Sequence, residues 1–265
     1  MKKANAAVGV VLACMIFSVV VYAAEQKAAE TGKDVYMLKL EGQYQQAIAL
    51  KENGDYEASL AILQKLLDDN PGLSKYEIAR LDTILEQSRD MKESKNGAWQ
   101  AKAKQVGHRI KLMLNSNSAN GDFWVVYAKY SAIIEANRET HITKALKKAF
   151  YFKPNNPEAY IVQADYNFYK AREARDEQQP GMMYGISENS GGQRFAMAKD
   201  AKTSYEAALA GPLSNARQAY IYRKLGDLEE DMLRNKDIAK KDWEMAVKLA
   251  PDSRSGKLAQ QRLEI

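Results

Sequence analysis

An all-α protein built of stacked helical hairpins is what this sequence predicts, and three observations carry the expectation. Apolar residues recur three and four apart through nearly all of the chain after Glu25. No stretch alternates apolar and polar residues as a half-buried strand would. The turn-forming residues fall between the periodic runs rather than inside them. Composition agrees: 46% hydrophobic and 28% charged residues suit a packed globular chain, and six prolines and 15 glycines in 265 residues leave room for long helices.

The N-terminal segment stands apart. Lys2 and Lys3 precede an uncharged run from Ala4 to Ala24, in which Asn5 is the one strongly polar side chain. A basic start, an apolar middle and small residues at the end make an export signal over residues 1–23, and Val21, Tyr22 and Ala23 suit cleavage after Ala23. Two other readings stay open. The same apolar run could span a bilayer as an uncleaved anchor, and Val11, Leu12, Ala13 and Cys14 form a lipobox-like run with Cys14 as the lipid carrier. All three send the rest of the chain across a membrane, to a periplasmic or cell-envelope location. Membrane contact is then expected only through this segment, and a nucleic-acid partner is not expected. Lys2 and Lys3 also contribute to the net charge of +5, so the basic balance says little about partners.

Residues 24–37 are read as a linker running into the first helix, expected over 35–52 and stopped by Asn53, Gly54 and Asp55. Asp55 caps a helix over 56–69, whose Tyr56, Leu60, Leu63, Leu66 and Leu67 share one face. After Asn70-Pro71-Gly72, Ser74 with Glu77 three residues on predicts a capping box opening a helix over 74–94. Helices over 97–115, 121–137 and 140–152 follow, the last with Ile142, Ala145, Leu146, Ala149 and Phe150 on one face. Pro157 opens a helix over 157–176. A polar, glycine-rich insertion occupies 176–194, and helices over 194–210, 214–233, 236–249 and 254–263 complete the chain. That is five hairpins and a terminal helix, whose Leu258, Ala259 and Leu263 would cap the last hairpin.

A spacing recurs in these hairpins when they are read back from their closing prolines. Ala239, Trp243 and Ala246 precede Pro251; Ile142, Leu146 and Ala149 precede Pro154; Ser59, Leu63 and Leu66 precede Pro71; and Ala201, Tyr205 and Ala208 precede Pro212 with one residue fewer at the end. The preceding helices add Tyr222 with Leu225 and Gly226, and Trp124 with Tyr127 and Ala128. Small residues let two helices approach and large ones fill the gaps between hairpins, while proline cannot continue the hydrogen-bond ladder. This pattern resembles the tetratricopeptide repeat over roughly residues 38–253, and it is weakest over 74–115, where no closing proline occurs. The resemblance implies a right-handed α-solenoid over 38–263 with a C-terminal capping helix, and a concave groove lined by the first helix of each hairpin.

Catalytic chemistry finds no foothold, and the chain is expected not to be an enzyme. Cys14 is the single cysteine, so disulfides and thiolate metal sites are excluded in the rest of the chain. His108 and His141 are isolated, no metal or cofactor site is expected, and no glycine-rich phosphate loop follows a strand. Asp227, Glu229, Glu230 and Asp231 read as a solvated acidic stretch. The lysines at 144, 147 and 148 and over 236–241 read as the outward face of second helices rather than a nucleic-acid surface.

What the resemblance implies for function is docking of another protein or peptide in the groove, in a non-catalytic scaffold. The candidate groove residues are Tyr44, Ile48 and Lys51 in the first hairpin, Ile161, Asp165, Phe168 and Tyr169 after Pro157, and Arg223, Asp227 and Glu230 beyond Tyr222. Some members of that family hold a C-terminal carboxylate with lysines and asparagines here; Tyr44, Ile48, Ile161 and Asp165 stand in their place. Met182, Met183 and Tyr184 in the insertion suit adaptable contacts. The alternatives are a ligand- or transporter-associated binding module, with the ligand held between groove and insertion, and an assembly factor for an envelope complex.

Overall fold

The computed structural model describes residues 32–134, 138–176 and 188–264, and among them it is all-helical, without a strand. The elements are α1 (Gly32–Glu52), α2 (Tyr56–Asp69), α3 (Ser74–Glu93), α4 (Trp99–Met113), α5 (Gly121–Ile134), α6 (Arg138–Phe152), α7 (Pro157–Asp176), α8 (Glu188–Leu209), α9 (Asn215–Leu228) with a π-helical extension over Glu229–Leu233, α10 (Lys236–Leu249) and α11 (Arg254–Leu263). Consecutive helices pack on each other along the chain, and α3 also meets α1 and α5, α5 meets α7, and α9 meets α11. No helix among the described residues is long and apolar enough to cross a membrane. The expected signal, with its cleavage point after Ala23 and Cys14, lies outside the described residues, as do Met182, Met183 and Tyr184.

Local chemistry accounts for several helix ends. The Asp55 carboxylate accepts the Ala58 N–H at 3.3 Å, the Ser214 hydroxyl accepts the Arg217 N–H at 3.1 Å, and the Ser253 hydroxyl accepts the Gly256 N–H at 3.0 Å. Gly54 ends the turn after α1 at φ +86°, a conformation glycine adopts without a steric cost. The capping box expected at Ser74 does not form. Ser74 is itself the first helical residue, Leu73 precedes it without a side-chain cap, and Glu77 instead pairs with Arg80 and Arg109. A charged partner on α4 is a stronger attraction for that carboxylate than a backbone N–H one turn away.

Three further expectations are revised. The helix expected to begin at 194 begins at Glu188, so part of the expected loop is helical despite Gly191 and Gly192. The packing of α8 along the 20-residue α7 offsets the weak helix propensity of glycine. Asp227 and Glu229 are not solvated: both are buried, Glu229 completely. The π-helical turn widens the backbone after Leu228, and Glu229 there meets Lys202 at 2.7 Å and Asn235 at 2.8 Å. Arg223 is likewise buried, 2.9 Å from Asp227, so neither of these two groove candidates faces solvent.

The small–large matching read from the sequence is visible where α9 crosses α10. Gly226 lies against the Trp243 indole, and Ala239 and Ala246 on either side of Trp243 are fully buried. The terminal helix does more than cover this hairpin. Arg254 at its start pairs with Asp90 on α3, where Tyr56 also donates to that carboxylate, and lies 3.4 Å from Glu93. Ser214 donates to Glu52 at 2.8 Å, so the start of α9 touches the end of α1. Arg254→Ala is expected to destabilise the chain by about 1.5–3 kcal/mol, the worth of a charged hydrogen bond. Hydrogen exchange should then quicken near Asp90 and Arg254 while α5 and α6 keep their protection. Uniform loss, or none, would show that the contact holds nothing together.

Candidate functional site

The first helix of each hairpin brings charge to a shared interior face. On α3, a 20-residue helix, Asp82, Glu86, Arg89 and Glu93 recur at helical spacing and so lie along one side. On α5, Lys129 is the only cation in a segment of otherwise mostly apolar residues, Gly121–Ile134. Stacking these helices places Lys129 Nζ 2.7 Å from Asp82, 3.1 Å from Glu86 and 3.1 Å from Glu158 on α7. Lys51 on α1 reaches Asp82 at 2.8 Å. Arg217 on α9 grips Glu158 with two hydrogen bonds of 2.6 Å each. Arg89 pairs with Glu86, donates to the Tyr220 hydroxyl at 3.0 Å and lies 3.4 Å from Asp165. Tyr220 donates to Asp165 at 2.6 Å, and Tyr205 of α8 donates to its other oxygen.

One network of four cations and four carboxylates therefore ties α1, α3, α5, α7 and α9 together. Its balance matters because the side chains of Lys129 and Glu86 retain only 10% and 8% of their exposure, and a buried charge without a partner is expensive. Burial by itself would raise the carboxyl pKa values. The neighbouring cations reverse that effect, and Asp82, Glu86 and Glu158 all lie below the ordinary range, held there chiefly by Lys129, Arg89 and Arg217 respectively. Burial likewise opposes the charge of Lys129, and its carboxylate partners raise its pKa above the ordinary lysine value.

The sign of the pH dependence follows. A carboxyl with a depressed folded-state pKa stabilises fully above its unfolded value of about 4, and that contribution is lost as pH falls through the folded value. Lys129, with its value raised, contributes fully below the unfolded lysine value of about 10.4. The network's contribution to the urea unfolding free energy is thus expected to hold from neutral pH to about pH 5 and to decline steeply below about pH 4, against a smaller gain as Asp242, raised by burial to about 6, takes its proton. A flat profile through that acid range would mean that the network does not stabilise the fold.

Beside the network, the interior face opens into a cavity of about 290 Å³ between α3, α5, α7 and α9. Its apolar wall comes from Leu85, Ala132, Ile133, Val162 and Phe168, and its charged wall includes Arg89, Glu93, Asp165, Arg172 and Lys224. Arg172 is held by Asp231 and stacks 4.5 Å from the Phe168 ring centre. Lys224 lies 5.7 Å from the Tyr220 ring. Burial, followed by the charge of Arg223, pushes Lys224 down to about 8, against the attraction of Asp165 and Glu93.

The residues expected to face a groove are dispersed by this arrangement. Asp165, Phe168 and Tyr169 line the cavity. Tyr44 and Ile48 pack on the cluster around Leu63 and Tyr76, with Lys75 4.0 Å over the Tyr44 ring, and Lys51 is committed to Asp82. Ile161 is fully buried in a core with Tyr205 and Ile221. Glu230 is half-buried, 3.8 Å from Arg262. Lys129, Glu86, Arg89, Glu158 and Arg217 escaped the sequence reading. Two signals pointed to them: a lysine alone among apolar residues, and charges repeating at the spacing otherwise used by core residues.

No protein-family model matches this chain, and no curated protein matches it significantly.

Proposed function

We propose that this chain is a non-catalytic, tetratricopeptide-like helical repeat protein of the bacterial cell envelope that docks another protein on the face made by α3, α5, α7 and α9. The observation that carries the reading is the concave site on that face, where an apolar floor meets a charged and aromatic rim. Interfaces draw their affinity from such buried apolar and aromatic anchors and their orientation from the charges around them. Tyr169 stands at that rim with 38% of its surface open. The pairing of Gly226 with Trp243 favours the repeat reading, because close helix approach filled by a bulky neighbour is what that motif supplies.

A photo-crosslinking residue placed at Tyr169 in living cells is expected to yield one discrete protein adduct. The same residue at Lys240, exposed on α10, should yield none. Equal labelling from both positions, or none from either, would remove the docking reading. Export is tested separately by the first residue of the protein recovered from cells: Ala24 for cleavage, lipid-bearing Cys14 for anchoring, Met1 for retention.

A further inference from the structure

The cavity beside the ion network has its own unmet chemistry. Four cations with defined partners border it. Arg89 is shared by Glu86, Asp165 and Tyr220, Lys129 by three carboxylates, and Arg172 by Asp231. Lys92 donates to the Ile133 carbonyl at 3.2 Å. Lys224 differs: among the described residues no carboxylate lies within 4 Å of its Nζ, although it borders the same cavity. The nearby acids act on it only from beyond contact: Glu93, which also lies 3.4 Å from Arg254, and Asp165, which sits under two tyrosine hydroxyls and Arg89. A half-buried lysine on this cavity therefore has no carboxylate in contact, only the longer-range attraction of Asp165 and Glu93.

We propose that this cavity binds a small free organic acid, its apolar body against Leu85, Ile133, Val162 and Phe168 and its carboxylate on Lys224. Size limits the ligand. An apolar cavity of about 150 Å³ accepts benzene, so 290 Å³ accommodates roughly a dozen non-hydrogen atoms. That is less than two residues of a peptide, so a small molecule fills the cavity itself and leaves the exposed part of Tyr169 to a docked protein. A single unpaired cation suits one carboxylate; a phosphate monoester would bring about two charges to a site with one to offer. Aromatic bodies fit best, because Tyr166 and Tyr169 join Phe168 in the lining.

The inference concerns the same concave face as the docking reading but does not require it, and its test is separate from the crosslinking at Tyr169. The full-length chain is titrated calorimetrically with 4-phenylbutyrate and with its neutral counterpart 4-phenylbutyramide. The acid is expected to bind one to one, and the amide about tenfold more weakly or worse, as follows from losing a charged hydrogen bond. Lys224→Gln should weaken the acid by a similar factor and leave the amide unchanged, while Lys224→Arg should keep most of the affinity. Lys240→Gln, outside the cavity, should change neither. Equal binding of acid and amide to the unaltered chain, binding insensitive to Lys224→Gln, or no binding of the acid would each overturn the proposal. The acid–amide comparison uses the unaltered protein, so a folding defect in a variant does not rescue it.

Discussion

Lys129→Met is expected to lower the unfolding free energy by about 3–5 kcal/mol, the range for removing one partner from a buried ion pair. Methionine fills similar volume, so the loss is electrostatic rather than a cavity. Asp82, Glu86 and Glu158 keep Lys51, Arg89 and Arg217 as partners, but three carboxylates would then face each other across a space the ammonium now fills. The balanced network becomes negative in a region of low exposure. Two consequences distinguish this cause from a packing defect. The gap between wild type and variant should narrow below about pH 4, as carboxylates protonate and stop repelling. Adding Glu158→Gln to Lys129→Met should restore part of the loss, a coupling that a thermodynamic cycle in urea measures directly. A deficit under about 1 kcal/mol, or one that is the same at pH 7 and pH 3, would mean that the charge on Lys129 is not what joins these helices.

Trp243→Ala is expected to cost a comparable ~3–5 kcal/mol, the usual range for truncating a buried aromatic. Trp243 is 6% exposed and packs with the fully buried Ala219, Ala239, Ala246 and Ala259, with Tyr222 and Leu263 partly buried against the same cluster. Its indole N–H has no hydrogen-bond partner among the described residues, so the loss is one of packing. Gly226→Ala probes the same contact from the other helix. A Cβ built there would lie 2.4 Å from Trp243 Nε1, well inside van der Waals contact, so overpacking of about 1–3 kcal/mol is expected. Once Trp243 is truncated the clash is gone, and the same alanine should be neutral or stabilise α9 by up to ~1 kcal/mol through helix propensity. The change of sign between the two backgrounds is the measurement of interest. Additive effects would show that the glycine is there for some reason other than the tryptophan.

Helix by helix, the periodic pattern reports burial well because burial is local information. The spans 56–69, 157–176 and 236–249 coincide with α2, α7 and α10, since each has an apolar face, a clear end signal and a partner beside it in sequence. Where two local signals compete, the tertiary context chooses. Ser74 and Glu77 spell a capping box, yet Arg109 from the next helix takes the carboxylate. Gly191 and Gly192 argue for a loop, yet they lie within α8. The acidic run at 227–231 looks solvated because composition does not reveal a π-helical turn or the lysine waiting at position 202.

An all-helical chain, the positions of its turns, the size-matched Gly226 and Trp243, and the lack of cysteine after Cys14 are all written in residue type and spacing. The ion network is not, because its members are 29, 43 and 47 residues apart around Lys129 alone, and Arg254 meets Asp90 across 164. Periodicity states that a side chain points inward; only the stacking of α1, α3, α5, α7 and α9 decides which charges meet there and leaves Lys224 on the cavity without a carboxylate in contact. The reason is physical: a helix face is set by bonds within four residues, whereas the pairing of charges on it depends on distances between separate helices that no local pattern encodes.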